Sequence, residues 1–159
     1  MTDTCCAPKS PPATADHCPD CGQRGRSVAL LTVQAQVSIS LAVLTASPYH
    51  FCATRGCPVV YFTATASPIT RDQIRERVFQ KETTSDVLVC YCFRYQVGVV
   101  QESDVTQRAA ILADIIAGTQ HGQCACTIRN PQGSCCLGNV RRLLREHEQH
   151  GQIETEEAL

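Results

Sequence analysis

Twelve cysteines in a chain of 159 residues constrain the fold more than any other feature. Each thiol must be oxidised, metal-bound or buried, and these fall in close groups: Cys5-Cys6, Cys18 and Cys21, Cys52 and Cys57, Cys90 and Cys92, Cys124 and Cys126, and Cys135-Cys136. Such a count means disulfides in an oxidising compartment or metal in a reducing one. The first stretch, MTDTCCAPKSPPATADH, has neither a basic n-region nor an apolar h-region, which predicts no secretory leader. The longest uncharged stretch, SVALLTVQAQVSISLAVLTASPYHF, is interrupted by glutamines and serines and reads as no membrane span. A cytoplasmic location follows, where six disulfides would not stay oxidised. The thiols are therefore read as metal ligands.

Net charge is −1 with no dominant basic stretch, so nucleic acid is not the expected partner. Tryptophan is absent and aromatics are 5 % of the chain, which leaves a core of Val, Ile, Leu and Ala. Small units with such cores need staples.

The chain reads as α+β, in two parts. Residues 1–16 form a proline-containing tail. Residues 17–85 form a small β-rich zinc-binding subdomain. Within it Val33, Ala35, Val37, Ile39, Leu41 and Val43 alternate with polar residues and predict a half-buried strand. Two more strands are expected near 49–52 and 59–63, around a glycine-containing turn. In SPITRDQIRERVFQKE, Thr70 caps a short helix or Val78 and Phe79 close the sheet. After a polar hinge at 81–86, residues 86–150 form a helical subdomain. Its first helix is expected to be capped by Ser103 or Asp104, to turn Ala109, Leu112, Ile115 and Ile116 inward, and to end at Gly118. The last helix is expected to be capped by Asn139, to bury Val140, Leu143 and Leu144, and to end at Gly151. Residues 151–159 are an acidic tail.

Cys18-Pro-Asp-Cys21-Gly is a tight turn whose glycine lets two sulfurs converge on one ion. Cys52 and Cys57 offer a second pair on the turn between two predicted strands. Four thiolates at tetrahedral distance make a closed structural zinc site. Neighbouring His17 and His50 are left outside this set.

The second group begins with Cys90-Tyr-Cys92, at the end of an apolar run. It continues with CACTIRNPQGSCCLGNV, whose last two thiols stand directly before a helix. The helix N-terminus favours an anionic centre, and the sulfur-rich set reads as a [2Fe–2S] site with four cysteine ligands. The adjacent Cys5 and Cys6 suit a soft ion such as Cu(I) or Hg(II) and are candidates for transient capture.

CPDCG, FCATRGCPVVYF, VCYCF and CACTIRNPQGSCCLGNV, in that order over residues 18–140, resemble the CopZ-type zinc and iron–sulfur domain. In that family one half binds mononuclear zinc and the other a [2Fe–2S] cluster, on a fold similar to the bacterioferritin-associated ferredoxin (BFD). The resemblance implies zinc at Cys18, Cys21, Cys52 and Cys57, and iron at Cys90, Cys92 and Cys124. By analogy with the ferredoxin, whose last ligand stands four positions before an apolar helix residue, Cys136 is the fourth iron ligand. Cys135 is its alternate, as Cys126 is the alternate to Cys124.

Two departures from the family stand out. Arg94-Tyr95 follow CYCF where the family has a glycine and then a helix-starting residue. No GMxCxxC copper motif follows in this sequence, so copper delivery by such a domain does not carry over.

The implied function is a cytoplasmic redox protein in copper or other soft-metal handling, including mercury. Its centre would transfer one electron, as in reduction of Cu(II) to Cu(I), which makes it an electron carrier or a metal-ion reductase. Its partners would be a metal transporter or chaperone and an electron donor. The alternatives are a general electron-transfer ferredoxin with no copper role and a non-redox scaffold with two zinc sites. There is no GxSxG, HExxH or phosphate loop. His121 beside Cys124 is weighed as a tuning residue against a loop residue without a role. His147 and His150 read as a solvated helix end, and RRLLRE as a docking face or an ordinary exposed one.

Overall fold

The computed structural model describes residues 15–156, with side chains described to residue 146. The first strand, β1 (Arg26–Val28), leads into helix α1 (Leu30–Gln36), a 3-10 turn at Leu41–Val43, and strands β2 (Tyr49–Phe51), β3 (Val59–Phe62) and β4 (Ile69–Thr70). These form one four-stranded sheet in the order β1-β2-β3-β4, antiparallel throughout. His50 stands opposite Ser27 on one side and Phe62 on the other. The unbroken apolar run of β3 is buried along its whole length, as a strand covered on both faces requires. Val60 and Tyr61 join a core with Val33, Val37, Tyr49, Phe51, Ile69 and Val78, while Val59 and Phe62 pack against Cys18, Cys52 and Cys57. Each such buried side chain contributes about 1.5–3 kcal/mol.

The strand expected from Val33 onward is not there. Residues 30–36 are helical, and only Val37 makes an isolated bridge, to Ile74. Thr32, Val33 and Gln36 are buried together, a helical face that takes in Gln36, a polar member of the alternation. Period two and period 3.6 cannot be told apart over so short a run. Tertiary contact decides, because the buried face meets helix α4, described below, and Gln36 donates through Nε2 to the Ile128 carbonyl at 2.7 Å. The strands at 49–51 and 59–62 lie close to where the pattern predicts them. Thr70 does cap a short 3-10 turn, Arg71–Gln73, in a capping box with Gln73.

A further 3-10 turn at Phe79–Lys81 precedes the segment 81–86, where Arg77 gathers Glu82 and Asp86 in exposed ion pairs. The second half then runs through strands β5 (Leu88–Cys90) and β6 (Tyr95–Gln96), which form an antiparallel hairpin, and helices α2 (Val97–Glu102), α3 (Val105–Gln120), α4 (Cys126–Arg129) and α5 (Leu137–Glu156). Its core gathers Val87, Val89, Val97, Val100, Ile111, Ile115, Val140, Leu143 and Leu144 with Cys90 and Cys136. Both helices and antiparallel sheet are present, so the fold is α+β.

Asp104 is the cap of α3: its carboxylate accepts from the Gln107 amide at 2.8 Å, and Gln107 returns a bond to the Asp104 amide at 2.9 Å. Ala109 is exposed, and Ile111 takes the inward place with Ile115. Gly118 lies inside the helix, where a Cβ would collide with the Phe93 ring. The chain turns instead at Gly122, with φ 69°. Asn139 is not the cap of α5. It lies in the first turn, and the Cys136 carbonyl receives the amides of Asn139 and Val140 at 2.9 and 3.1 Å. The helical backbone passes through Gly151 to Glu156. Among the described residues no helix is long and apolar enough to cross a membrane.

Candidate metal centres

The first thiol group is built by two turns. In one, the Cys18 amide donates to the Gln23 carbonyl and the Gly22 amide to the Cys18 carbonyl, each at 2.9 Å. Gly22 takes φ 69°, the left-handed conformation that glycine adopts without penalty. In the other, Cys52 leaves β2 bonded to Val60 at 2.9 Å, and the Cys57 amide closes on the Thr54 carbonyl at 3.2 Å. The four sulfurs lie within 4.8 Å of one another, with Cys18–Cys57 at 3.7 Å and Cys21–Cys52 at 3.6 Å. Cys18, Cys52 and Cys57 are buried and Cys21 half-buried. A set of four converging thiols, three of them buried, fits a closed tetrahedral zinc site.

The metal-free thiols are not alike. Burial raises Cys18. Burial also pushes Cys57 well up, helped by the bond its thiol donates to Asp20 at 3.1 Å. At Cys21 burial acts in the same sense but is outweighed by hydrogen bonds with the Thr54 hydroxyl, the Gln23 backbone and the neighbouring thiols, and its pKa falls to about 7. His17 pairs with Asp16 at 3.0 Å, and His50 stacks on Phe62 with centroids 5.5 Å apart. Neither histidine belongs to the four-sulfur group.

The second group is arranged as two sulfur pairs. Cys136 approaches Cys90 at 2.8 Å, and Cys92 approaches Cys126 at 3.6 Å. Cys90 ends β5, Cys92 stands in the hairpin turn, Cys126 opens α4 and Cys136 immediately precedes α5. The Ala125 amide points at Cys92 Sγ from 3.2 Å. The bond from Cys136 lowers Cys90 to about 7 against the effect of burial, whereas burial raises Cys126 to about 12. Cys136 is driven far upward, first by its bond to Cys90 and then by burial. Cys124 and Cys135 make no sulfur–sulfur approach of this kind among the described residues, and Cys135 is exposed.

The two groups differ in spread. Among the described residues only the first brings three or more ligand atoms within reach of a single ion. The second is not gathered so closely and stands as two sulfur pairs. Four thiols with an amide donor beside them fit the donor set of a [2Fe–2S] site.

Several neighbours of these groups were not marked by the sequence. Thr54, Tyr61 and Gln132 stand inside the quoted motifs, as Asp20 does inside CPDC, but only their cysteines were singled out; Lys81, which bonds the Thr54 and Cys57 carbonyls, lies outside every motif. His121 caps the end of α3, donating through Nδ1 to the Ala117 carbonyl at 2.7 Å. Cys5, Cys6, His147 and His150 lie outside the residues whose side chains are described.

Fold and site together define a thiolate metal-binding α+β protein. Residues 15–75 match the model of the zf_CopZ family, described as a zinc binding domain. The X-ray structure of the CopZ N-terminal domain from Archaeoglobus fulgidus is similar at 29 % identity and a TM-score of 0.61, covering 80 % of this chain and 96 % of that one. No curated protein matches this chain. The chain is CopZ-like in fold and carries a four-cysteine site within the matched zinc-binding region.

Proposed function

We propose that the chain is a cytoplasmic metal-handling redox protein with zinc at Cys18, Cys21, Cys52 and Cys57 and a [2Fe–2S] cluster in the second thiol group, on a BFD-like subdomain following residue 86. The observation that carries the reading is the division of the second group into two sulfur pairs, Cys90 with Cys136 and Cys92 with Cys126. Four sulfurs not within reach of one ion favour a binuclear centre over a second mononuclear zinc, and the approach to Cys92 favours Cys126 over Cys124 as the third ligand. Cys136, with its carbonyl already engaged by the first turn of α5, is favoured over exposed Cys135.

The zinc site is inert: zinc has no redox chemistry and the four thiolates leave no open position. The cluster supplies a one-electron change of oxidation state. The protein's own contribution is to hold the thiolates, to aim the Ala125 amide at Cys92 and to keep Cys90 and Cys136 from solvent. The substrate is a soft metal ion, with copper as the leading case given the printed name of the similar structure. In that reaction one electron leaves the protein and Cu(II) becomes Cu(I), the form thiolate carriers accept. A separate electron donor restores the electron, and a transporter or chaperone takes the ion. Cys5 and Cys6 are the candidate capture site.

Anaerobic purification followed by metal and sulfide analysis tests this. The expected content is one zinc, two irons and two sulfides per chain, with prompt one-electron reoxidation of the reduced protein by Cu(II). Cys126→Ser should abolish the cluster spectrum and Cys124→Ser should preserve it. A colourless protein holding zinc alone overturns the reading. A coloured one that ignores copper favours the general electron carrier.

A further inference from the structure

Three consecutive residues between the two halves, the 3-10 turn Phe79–Lys81, reach three different thiol-bearing segments. Lys81 is only 3 % exposed. Its Nζ donates to the Thr54 carbonyl at 3.0 Å and the Cys57 carbonyl at 3.1 Å, both on the turn that presents Cys52 and Cys57. None of the described ion pairs gives it a carboxylate. A buried ammonium without nearby negative charge is costly. Four thiolates around one dication would carry two net negative charges on the turn whose Thr54 and Cys57 carbonyls Lys81 holds.

Gln80 reaches the other way. Its Nε2 donates to Gln132 Oε1. Gln132 is 4 % exposed and ties the turn that ends at Cys136. Its own amide donates to the Ser134 and Cys135 carbonyls at 3.2 and 3.1 Å, and its oxygen also accepts from Asn139 at 3.0 Å. Phe79 completes the set: its backbone amide donates at 2.9 Å to the hydroxyl of Tyr91, the residue between Cys90 and Cys92. That hydroxyl donates onward to the Arg77 carbonyl at 2.7 Å, and the Phe79 ring packs on the core of the second half.

We propose that the Phe79–Lys81 turn couples the two metal centres, so that metal in the first site holds the cysteines of the second in place and the reverse. This rests on the two-centre reading above. A turn of three residues cannot shift at Lys81 and stay fixed at Gln80 and Phe79. Departure of zinc releases the Cys52–Cys57 turn, whose Thr54 and Cys57 carbonyls hold Lys81. The loss is then felt at Gln132 and Tyr91, beside the second set of thiols. Lys81 and Gln80 act as positioning residues, since neither touches a sulfur. Linkage requires the effect to be reciprocal.

The full chain tests this by equilibrium competition for zinc with a chromogenic chelator, with and without a reconstituted cluster. The cluster-loaded protein should hold zinc about tenfold more tightly, within the usual span of coupling between sites. In Lys81→Met and Gln80→Ala the ratio should fall to about one. Should Lys81→Met fail to fold, Gln80→Ala carries the test alone. Equal zinc affinity in the two parent forms overturns the proposal, as does a ratio that survives in the variants. If the parent takes up no cluster, the proposed function fails but the coupling is still read by hydrogen exchange. The amides of residues 130 and 132–136 should lose protection when zinc is removed, and unchanged protection there overturns it.

Discussion

Arg94 has φ 63°, a left-handed conformation that costs a residue with a Cβ about 1–2 kcal/mol. It follows CYCF at the point where the resemblance leads one to expect glycine, and the backbone gives the reason for that expectation. The side chain offers little in return, because its contact with Glu76 is 3.9 Å long and exposed. Arg94→Gly should therefore stabilise the metal-loaded protein by about 1 kcal/mol, offset in part by glycine's greater freedom when unfolded. Thermal unfolding should show a midpoint raised by about 2–4 °C; a lowered midpoint would mean that Arg94 makes a contact worth more than its strain. Other choices at this scale were not open to spacing alone. Cys124 and Cys126 lie two apart on one short turn, and only the start of α4 at Cys126 turns that sulfur toward Cys92.

At the scale of elements, the cysteine-bearing turn before α5 is shaped by the half of the chain that holds the first site. Helix α1 packs on α4, Gln36 bonds the Ile128 carbonyl, and the buried Tyr61 hydroxyl donates to the Pro131 carbonyl at 2.5 Å. Gly133 sits at the closest approach, with φ 67° and with its missing Cβ 2.9 Å from the buried Thr32 hydroxyl. Gly133→Ala combines backbone strain with overpacking and should cost roughly 1–3 kcal/mol. The denaturant midpoint should drop accordingly. A variant as stable as the parent would show that α1 and the turn can separate freely. This packing also explains the failed strand at 33–43, since an alternating pattern does not reveal that its partner is a helix ninety residues away.

Across the whole molecule, stability and metal binding are one quantity. Structural zinc in small domains contributes on the order of ten kcal/mol or more, added here to a small core built around the buried rings of Tyr49, Phe51, Tyr61 and Phe62. Burial holds Cys18 and Cys57 protonated at neutral pH, and zinc binds thiolates, so each zinc must expel at least the protons of these two thiols. Falling pH therefore favours the metal-free state. Apparent zinc affinity should drop at least about a hundredfold per pH unit between pH 8 and 6, as read by chelator competition at several pH values. A slope of less than two protons per zinc would show that Cys18 and Cys57 are not both protonated beforehand. Far-ultraviolet dichroism should lose the β signal of the first half as zinc leaves.

The sequence by itself determined the class of chemistry and its approximate seats. Cysteine pairs at short spacings can converge only on turns, and the apolar runs at 49–51 and 59–62 could only be strands. The helix at 105–120 was announced by its cap and its period. Only the tertiary structure decided that residues 30–36 coil, that Cys126 lies against Cys92, and that Lys81 and Gln132 brace the thiol-bearing turns. Those outcomes depend on contacts between residues 24 to 92 positions apart, and no local pattern carries information about a partner that far along the chain.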